Sequence, residues 1–291
     1  MGMEKSLRLG SQLIEQVWER MNPNELPKMR QYPEDRILVV RGSYDHIEKI
    51  LNEAKVPYTG IKNFPDKEDL QQGGKYSKSR VMFVNCDGCY HGAFEGKNLS
   101  GKNKSALINF VSQGGRMITT DWAQAVVKYL FGKIWAKEDV TGDEVVKCKF
   151  SSDLAAKLSG ITYGNAKPNW WLEESSDIIH YRSNSGIVEL VESEELEKKY
   201  GSKHIAIGFQ YGEGEVFHFV SHLIAQKLAN YDKRDRECLS SFLDATKTKL
   251  RDADKSRLTF GEIQTTYTLM NTVLELCRDN KILTELKGGN V

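Results

Sequence analysis

The chain reads as an α/β protein with a three-layer, mainly parallel central sheet, extended by helices at both ends. Three observations predict this. Short apolar runs rich in β-branched residues recur at residues 36–40, 81–84 and 116–120, the pattern of strands buried on both faces. Each run is followed by a turn and an amphipathic stretch, and strand–helix alternation of this kind gives parallel sheets. Outside residues 36–228 the alternation stops and polar helical patterning takes over.

Residues 1–35 are expected to form an N-terminal helical extension. Leu9, Leu13, Ile14, Val17 and Trp18 recur near helical spacing, and Pro23 and Pro27 break the pattern. The run at 36–40 is the first strand, and Gly42-Ser43-Tyr44-Asp45 turns the chain into a helix with Ile47, Ile50, Leu51 and Ala54 on one face. Residues 56–59 suit a short second strand, placed at an edge or a strand start by Pro57. Residues 60–78 read as an irregular connection. The strand at 81–84 runs into Asn85-Cys86-Asp87-Gly88-Cys89-Tyr90-His91-Gly92, a polar, turn-forming loop. Ser105 is expected to cap a helix carrying Leu107, Ile108, Phe110 and Val111, closed by Gly114-Gly115. The third strand, 116–120, exits through Asp121-Trp122 into a helix over 123–131.

From residue 140 the pattern changes. Residues 144–150 suit a strand and 153–158 a short helix. Residues 169–172 and 177–181 suit strands or ordered loop, 186–191 a strand, and 194–200 a charged, exposed segment. Residues 203–209 and 215–220, joined through Gly212-Glu213-Gly214, predict a β-hairpin with a glycine turn. Ser221-His222 leave its last strand and 223–228 continue as helix. Residues 229–291 form a C-terminal helical extension with no strand after 220. The domain expectation is therefore 1–35, 36–228 and 229–291.

Composition bounds the function. The 291 residues hold 41 Lys+Arg against 40 Asp+Glu, a net charge of +1, which argues against bulk electrostatic binding to nucleic acid or an anionic membrane. No apolar stretch approaches the roughly 20 residues of a membrane span, and the N-terminus lacks a secretory-signal pattern. Cys86, Cys89, Cys148, Cys238 and Cys277 are an odd, sparse set, which fits a reducing compartment, so a cytoplasmic protein is expected.

Four features in order resemble the class I glutamine amidotransferase-like superfamily, especially its divergent, trehalose-utilisation-type members. They are Arg41-Gly42-Ser43-Tyr44 after the first strand, Asn85-Cys86-Asp87-Gly88 after the second main strand, Gly114-Gly115-Arg116 leading into 117–122, and the late segment 212–222 ending in Ser221-His222. The resemblance implies a sharp strand-to-helix turn at residues 119–123. Amidotransferases carry a cysteine nucleophile there, and this sequence has Thr119-Thr120-Asp121-Trp122-Ala123. A His-x-Glu pair is also missing, since Leu223 and Ile224 follow His222. Glutamine hydrolysis is not expected.

In such sheets ligands gather outside the C-terminal strand ends. That rule brings Ser43, Tyr44, Cys86, Asp87, Asp121, Trp122, Ser221 and His222 to one rim. Asp121 beside His222 offers an acid/base pair; the alternative is that Asp121 caps the next helix and His222 bonds to backbone. Cys86-x-x-Cys89 with His91 has a metal or redox spacing, but no second cysteine pair exists and the glycines suggest a structural loop, so neither a metal nor a cofactor is expected. His218 and His222 would stand ~13 Å apart on a strand, too far to share an ion. Trp122, Trp135, Trp170 and Trp171 suit core or interface packing, and the mixed charges of 227–236 suit a solvated helix face. No phosphate-binding loop or serine elbow is present. The expectation is a non-catalytic amidotransferase-like domain that binds a partner protein or a small polar ligand at this rim. The alternative is a hydrolase using Asp121 and His222.

Overall fold

Strands β1 (Ile37–Val40), β3 (Val81–Val84), β4 (Arg116–Thr120) and β12 (Gly214–Phe219) are buried at every position. Successive strand side chains point to opposite faces, so burial throughout means that both faces of the sheet are covered. The computed structural model describes residues 3–87, 99–135, 140–150, 169–182, 185–223, 239–244, 246–256 and 259–283. Its eight-stranded sheet runs β2 (Thr59–Ile61), β1, β3, β4, β12, β11 (His204–Tyr211), β10 (Ile187–Glu192), β7 (Lys149–Phe150). Pairing is parallel from β2 to β12 and antiparallel from β12 to β7. The four strands expected at the centre are neighbours, and the fold is the three-layer α/β arrangement that the apolar runs predicted.

The hairpin between β11 and β12 pairs Tyr211 with Gly214. Its turn places Gly212 at φ +59, where an added Cβ would lie 2.5 Å from the Ser112 carbonyl oxygen, so only glycine fits without strain.

Three elements differ from expectation. The edge strand starts at Thr59 rather than Val56, because Pro57 has no N–H for the ladder and the Val56 N–H closes the end of helix α3 (Ile47–Ala54) by donating to the Leu51 carbonyl at 2.9 Å. Helix α5 (Gly101–Ser112) starts four residues ahead of Ser105. Its entry is set at Ser100, whose N–H and hydroxyl both donate to Asn103 Oδ1, while Ser105 Oγ turns back to the Gly101 carbonyl inside the helix. The run 144–150 is broken at Cys148. β6 (Glu144–Lys147) pairs with β8 (Asn169–Leu172) in a separate two-stranded sheet, and β7 joins the main one. A second small sheet pairs β5 (Ile134–Trp135) with β9 (His180–Tyr181). The charged segment forms α7 (Glu194–Tyr200), opened by Ser193 accepting the Leu196 N–H. The helices expected at 153–158 and 223–228, and the stretch 227–236, lie wholly or almost wholly outside the described residues.

The remaining helices are α1 (Met3–Met21), α2 (Glu25–Met29), α4 (Lys67–Leu70), α6 (Gln124–Phe131), α8 (Asp252–Lys255) and α9 (Phe260–Cys277). The two terminal helices pack together, with Trp18 Nε1 donating to Asn271 Oδ1 at 2.9 Å in the interior. Arg116 ties the C-terminal segment to the sheet. Its guanidinium donates to Glu215 Oε2 at 2.7 and 3.0 Å, to the Leu276 carbonyl at 2.6 Å and to the carbonyls of Arg278 and Asn280. Among the described residues, no helix is long and apolar enough to cross a membrane.

Candidate functional site

The registers Val40↔Val84, Val84↔Thr119 and Thr120↔Phe219 bring the C-terminal ends of β1, β3, β4 and β12 to one level. The segments that follow therefore converge, and Gly42 lets two of them touch. A Cβ on Gly42 would lie 2.1 Å from the Cys86 carbonyl oxygen, and that oxygen accepts the Tyr44 N–H at 3.3 Å.

β4 ends in a sharp turn. Asp121 takes φ +47, left-handed backbone that a non-glycine residue rarely adopts, and a 3-10 turn over Asp121–Ala123 leads into α6. The Asp121 carboxylate does not cap that helix. It points across the rim, with Oδ2 3.2 Å from His222 Nε2 and 3.2 Å from Cys86 Sγ, which donates to it. The other ring nitrogen, His222 Nδ1, lies 3.0 Å from Glu173 Oε1, and Glu173 Oε2 accepts the His222 backbone N–H at 3.3 Å. The result is a line of carboxylate, imidazole and carboxylate, with a thiol beside the first. Asp45 sits beneath it, fully buried, accepting the His46 N–H at 2.8 Å and the Leu223 N–H at 3.3 Å. The bond from Leu223 joins the exits of β1 and β12.

The cluster is nearly closed to solvent. The side chains of Asp121, Glu173 and His222 are 6%, 12% and 12% exposed. Burial alone would lower the affinity of His222 for its second proton. Bonds to Asp121, Cys86 and Glu173, with the Asp45 charge behind them, outweigh that and hold its pKa far above the ordinary imidazole value. The Cys86 thiol is pushed up to about 12, chiefly by burial and against the pull of His222. It is therefore a neutral thiol here and not a ready nucleophile.

The other expected site residues form an outer tier. Ser43 Oγ donates to Asp87 Oδ2 at 3.3 Å. Tyr44, 54% exposed, meets Trp122 edge-on with ring centroids 5.5 Å apart, and Trp122 Nε1 donates to the Ser175 carbonyl at 2.8 Å. Ser221 turns inward: its hydroxyl accepts Trp170 Nε1 at 2.6 Å and donates to the Trp171 carbonyl at 3.1 Å. It holds the tryptophan segment in place and does not face the rim. His218 stays within β12 between Thr119 and Gln124, apart from His222. Cys89 and His91 lie outside the described residues.

Glu173 and Asp45 are the residues that sequence reasoning missed. The partner of His222 comes from 49 residues upstream rather than two downstream. The available signal was an acidic pair, Glu173-Glu174, closing the apolar run Trp170-Trp171-Leu172.

No protein-family model and no curated protein sequence matches the chain. Solved structures align with parts of the chain at low identity. A β-galactosidase from Bacillus circulans sp. alkalophilus aligns over 65% of this chain at 15% identity and a TM-score of 0.38, and the match spans only 28% of the β-galactosidase. A glutamine amidotransferase from Thermotoga maritima aligns over 84% of this chain and 97% of its own, at 12% identity and a TM-score of 0.45. A ThuA-like protein from Bacteroides uniformis aligns over 67% of this chain and 84% of its own, at 11% identity and a TM-score of 0.44. At these identities and TM-scores the likenesses say nothing of activity.

Proposed function

We propose that the chain is a non-catalytic, amidotransferase-like domain that binds a small polar ligand at the C-terminal rim of its sheet, over Asp121 and His222 and under Tyr44 and Trp122. The observation that carries this reading is the double engagement of His222. One ring nitrogen faces Asp121 and the other Glu173, so neither is free to take a proton from a substrate. The turn at residues 119–123, where the resemblance implies a nucleophile, carries Asp121 and no cysteine, and the nearby Cys86 thiol is buried against Asp121.

The order carboxylate–imidazole–carboxylate at a left-handed strand exit also favours a second reading, a hydrolase in which Glu173 orients His222 as acid/base and Asp121 is the reacting group. Turnover separates the two. The full chain and its His222→Ala variant are incubated with glutamine, reading ammonia, and with p-nitrophenyl acetate, reading nitrophenolate. The binding reading predicts rates equal to buffer for both proteins. Turnover above buffer that disappears in His222→Ala overturns it in favour of the hydrolase. Binding is read by thermal shift over a panel of neutral sugars, polyols and amino acids. The reading predicts stabilisation by a member of the panel that is lost in Asp121→Asn.

A further inference from the structure

We propose that Cys86, Asp121 and His222 form a binding site for a divalent cation of the zinc class, with Glu173 orienting the histidine and one coordination position left open towards the rim.

The donor set is the first argument. Cys86 Sγ, a carboxylate oxygen of Asp121 and a ring nitrogen of His222 all lie within 4.8 Å of one another. Thiolate, imidazole and carboxylate together suit Zn2+ better than the hard, all-oxygen cations. Spacing is the second. Bonds of about 2.0–2.3 Å at tetrahedral angles set donor–donor edges of about 3.3–3.5 Å. Asp121 Oδ2 stands 3.2 Å from both Cys86 Sγ and His222 Nε2, so small movements of these side chains would admit an ion.

The third argument is an atom with no hydrogen-bond partner. Asp121 is 5% exposed and its Oδ1 is buried without any hydrogen bond. A buried carboxylate oxygen left this way is costly, and a cation held by both oxygens of Asp121 would satisfy it. Glu173 supplies the fourth. It faces His222 Nδ1 at 3.0 Å and so directs Nε2 at the other two donors, the carboxylate–histidine–metal arrangement that fixes ring orientation in metal sites. Three protein donors leave a fourth position for water or for a polar group of a ligand. The thiol proton and the Nε2 proton leave to solvent as the ion enters.

The role of the open position rests on the binding reading above, but the cation is measured without any ligand or turnover, so one can fail while the other stands. The experiment is a titration of the chelator-treated full chain with Co2+, and with Zn2+ in competition against a chromophoric chelator. Far-UV circular dichroism and melting confirm that every variant is folded. The expected result is one equivalent bound, with a cobalt–thiolate charge-transfer band in the near ultraviolet. Cys86→Ser loses the band and Asp121→Asn loses saturable binding. Glu173→Gln weakens the ion by about 10- to 100-fold, and Cys148→Ala, a thiol elsewhere in the fold, changes neither readout. Absence of a saturable equivalent in the wild type overturns the proposal. So does equal binding by Cys86→Ser and Asp121→Asn, which would place the ion elsewhere.

Discussion

Glu173 Oε1 lies 3.0 Å from His222 Nδ1, although the two residues leave strands of different sheets. The pair is therefore a tertiary link between the small β6–β8 sheet and the main rim, as well as a device that aims the imidazole. Glu173→Gln keeps the shape and removes the charge. Charge-assisted hydrogen bonds contribute about 1.5–3 kcal/mol, and a loss of that order is expected in urea denaturation. A cost near zero would show that Asp121 alone holds His222.

The approach of the β1 and β3 exits rests on one glycine. In Gly42→Ala the new methyl meets the Cys86 carbonyl at 2.1 Å, and overpacking of this kind typically costs about 1–3 kcal/mol. The strain falls on the segment that carries Cys86, so Gly42→Ala is predicted to lower both melting temperature and Co2+ affinity. A variant with unchanged stability and unchanged affinity would mean that the two loops move apart freely.

The sheet centre was legible because its signals are local. Ile37–Val40 and Val81–Val84 are apolar at every position, which only a strand covered on both faces requires, and Gly212 marks the hairpin. The rim was legible in part for the same reason: Asp121 directly follows a buried strand and His222 comes three residues after another. Glu173 was not, because it follows β8, a strand outside the parallel set, and no local pattern says which histidine a glutamate will meet. Asp45 read as an ordinary turn residue, since its burial depends on Leu223, 178 positions away. Ser221 read as a rim residue, and what turns it inward is the indole of Trp170.

The buried ion pair of Arg116 and Glu215 predicts a large stability effect far from the rim. Their side chains are 7% and 4% exposed, and Arg116 also satisfies carbonyls of residues 276, 278 and 280. Removing one partner of a buried pair costs about 3–5 kcal/mol. Arg116→Met is expected to lose that much in chemical denaturation, with earlier proteolysis of the C-terminal segment. A loss below about 1 kcal/mol would contradict the clamp.

His218 predicts an acid-sensitive component of stability. Burial holds its pKa down from 6.5 to about 3, with Thr119 opposing weakly, so the folded ring is neutral between Thr119 and Gln124. Below pH 6.5 the unfolded chain takes up a proton that the folded chain refuses until about pH 3. The unfolded state then binds more protons, and stability falls as pH falls. From pH 7 to pH 5 this contributes a loss of about 2 kcal/mol. His218→Gln should flatten the profile by that amount, read as the difference between urea midpoints of the two proteins at each pH. Parallel profiles would assign the acid sensitivity to other groups.

The most direct test of the rim site is an anomalous difference map, recorded above the zinc absorption edge from crystals of the zinc-loaded full chain. The predicted result is one peak about 2.0–2.3 Å from Cys86 Sγ, Asp121 Oδ2 and His222 Nε2. A map with no peak there, and with the His222 ring still held between Asp121 and Glu173, would contradict it.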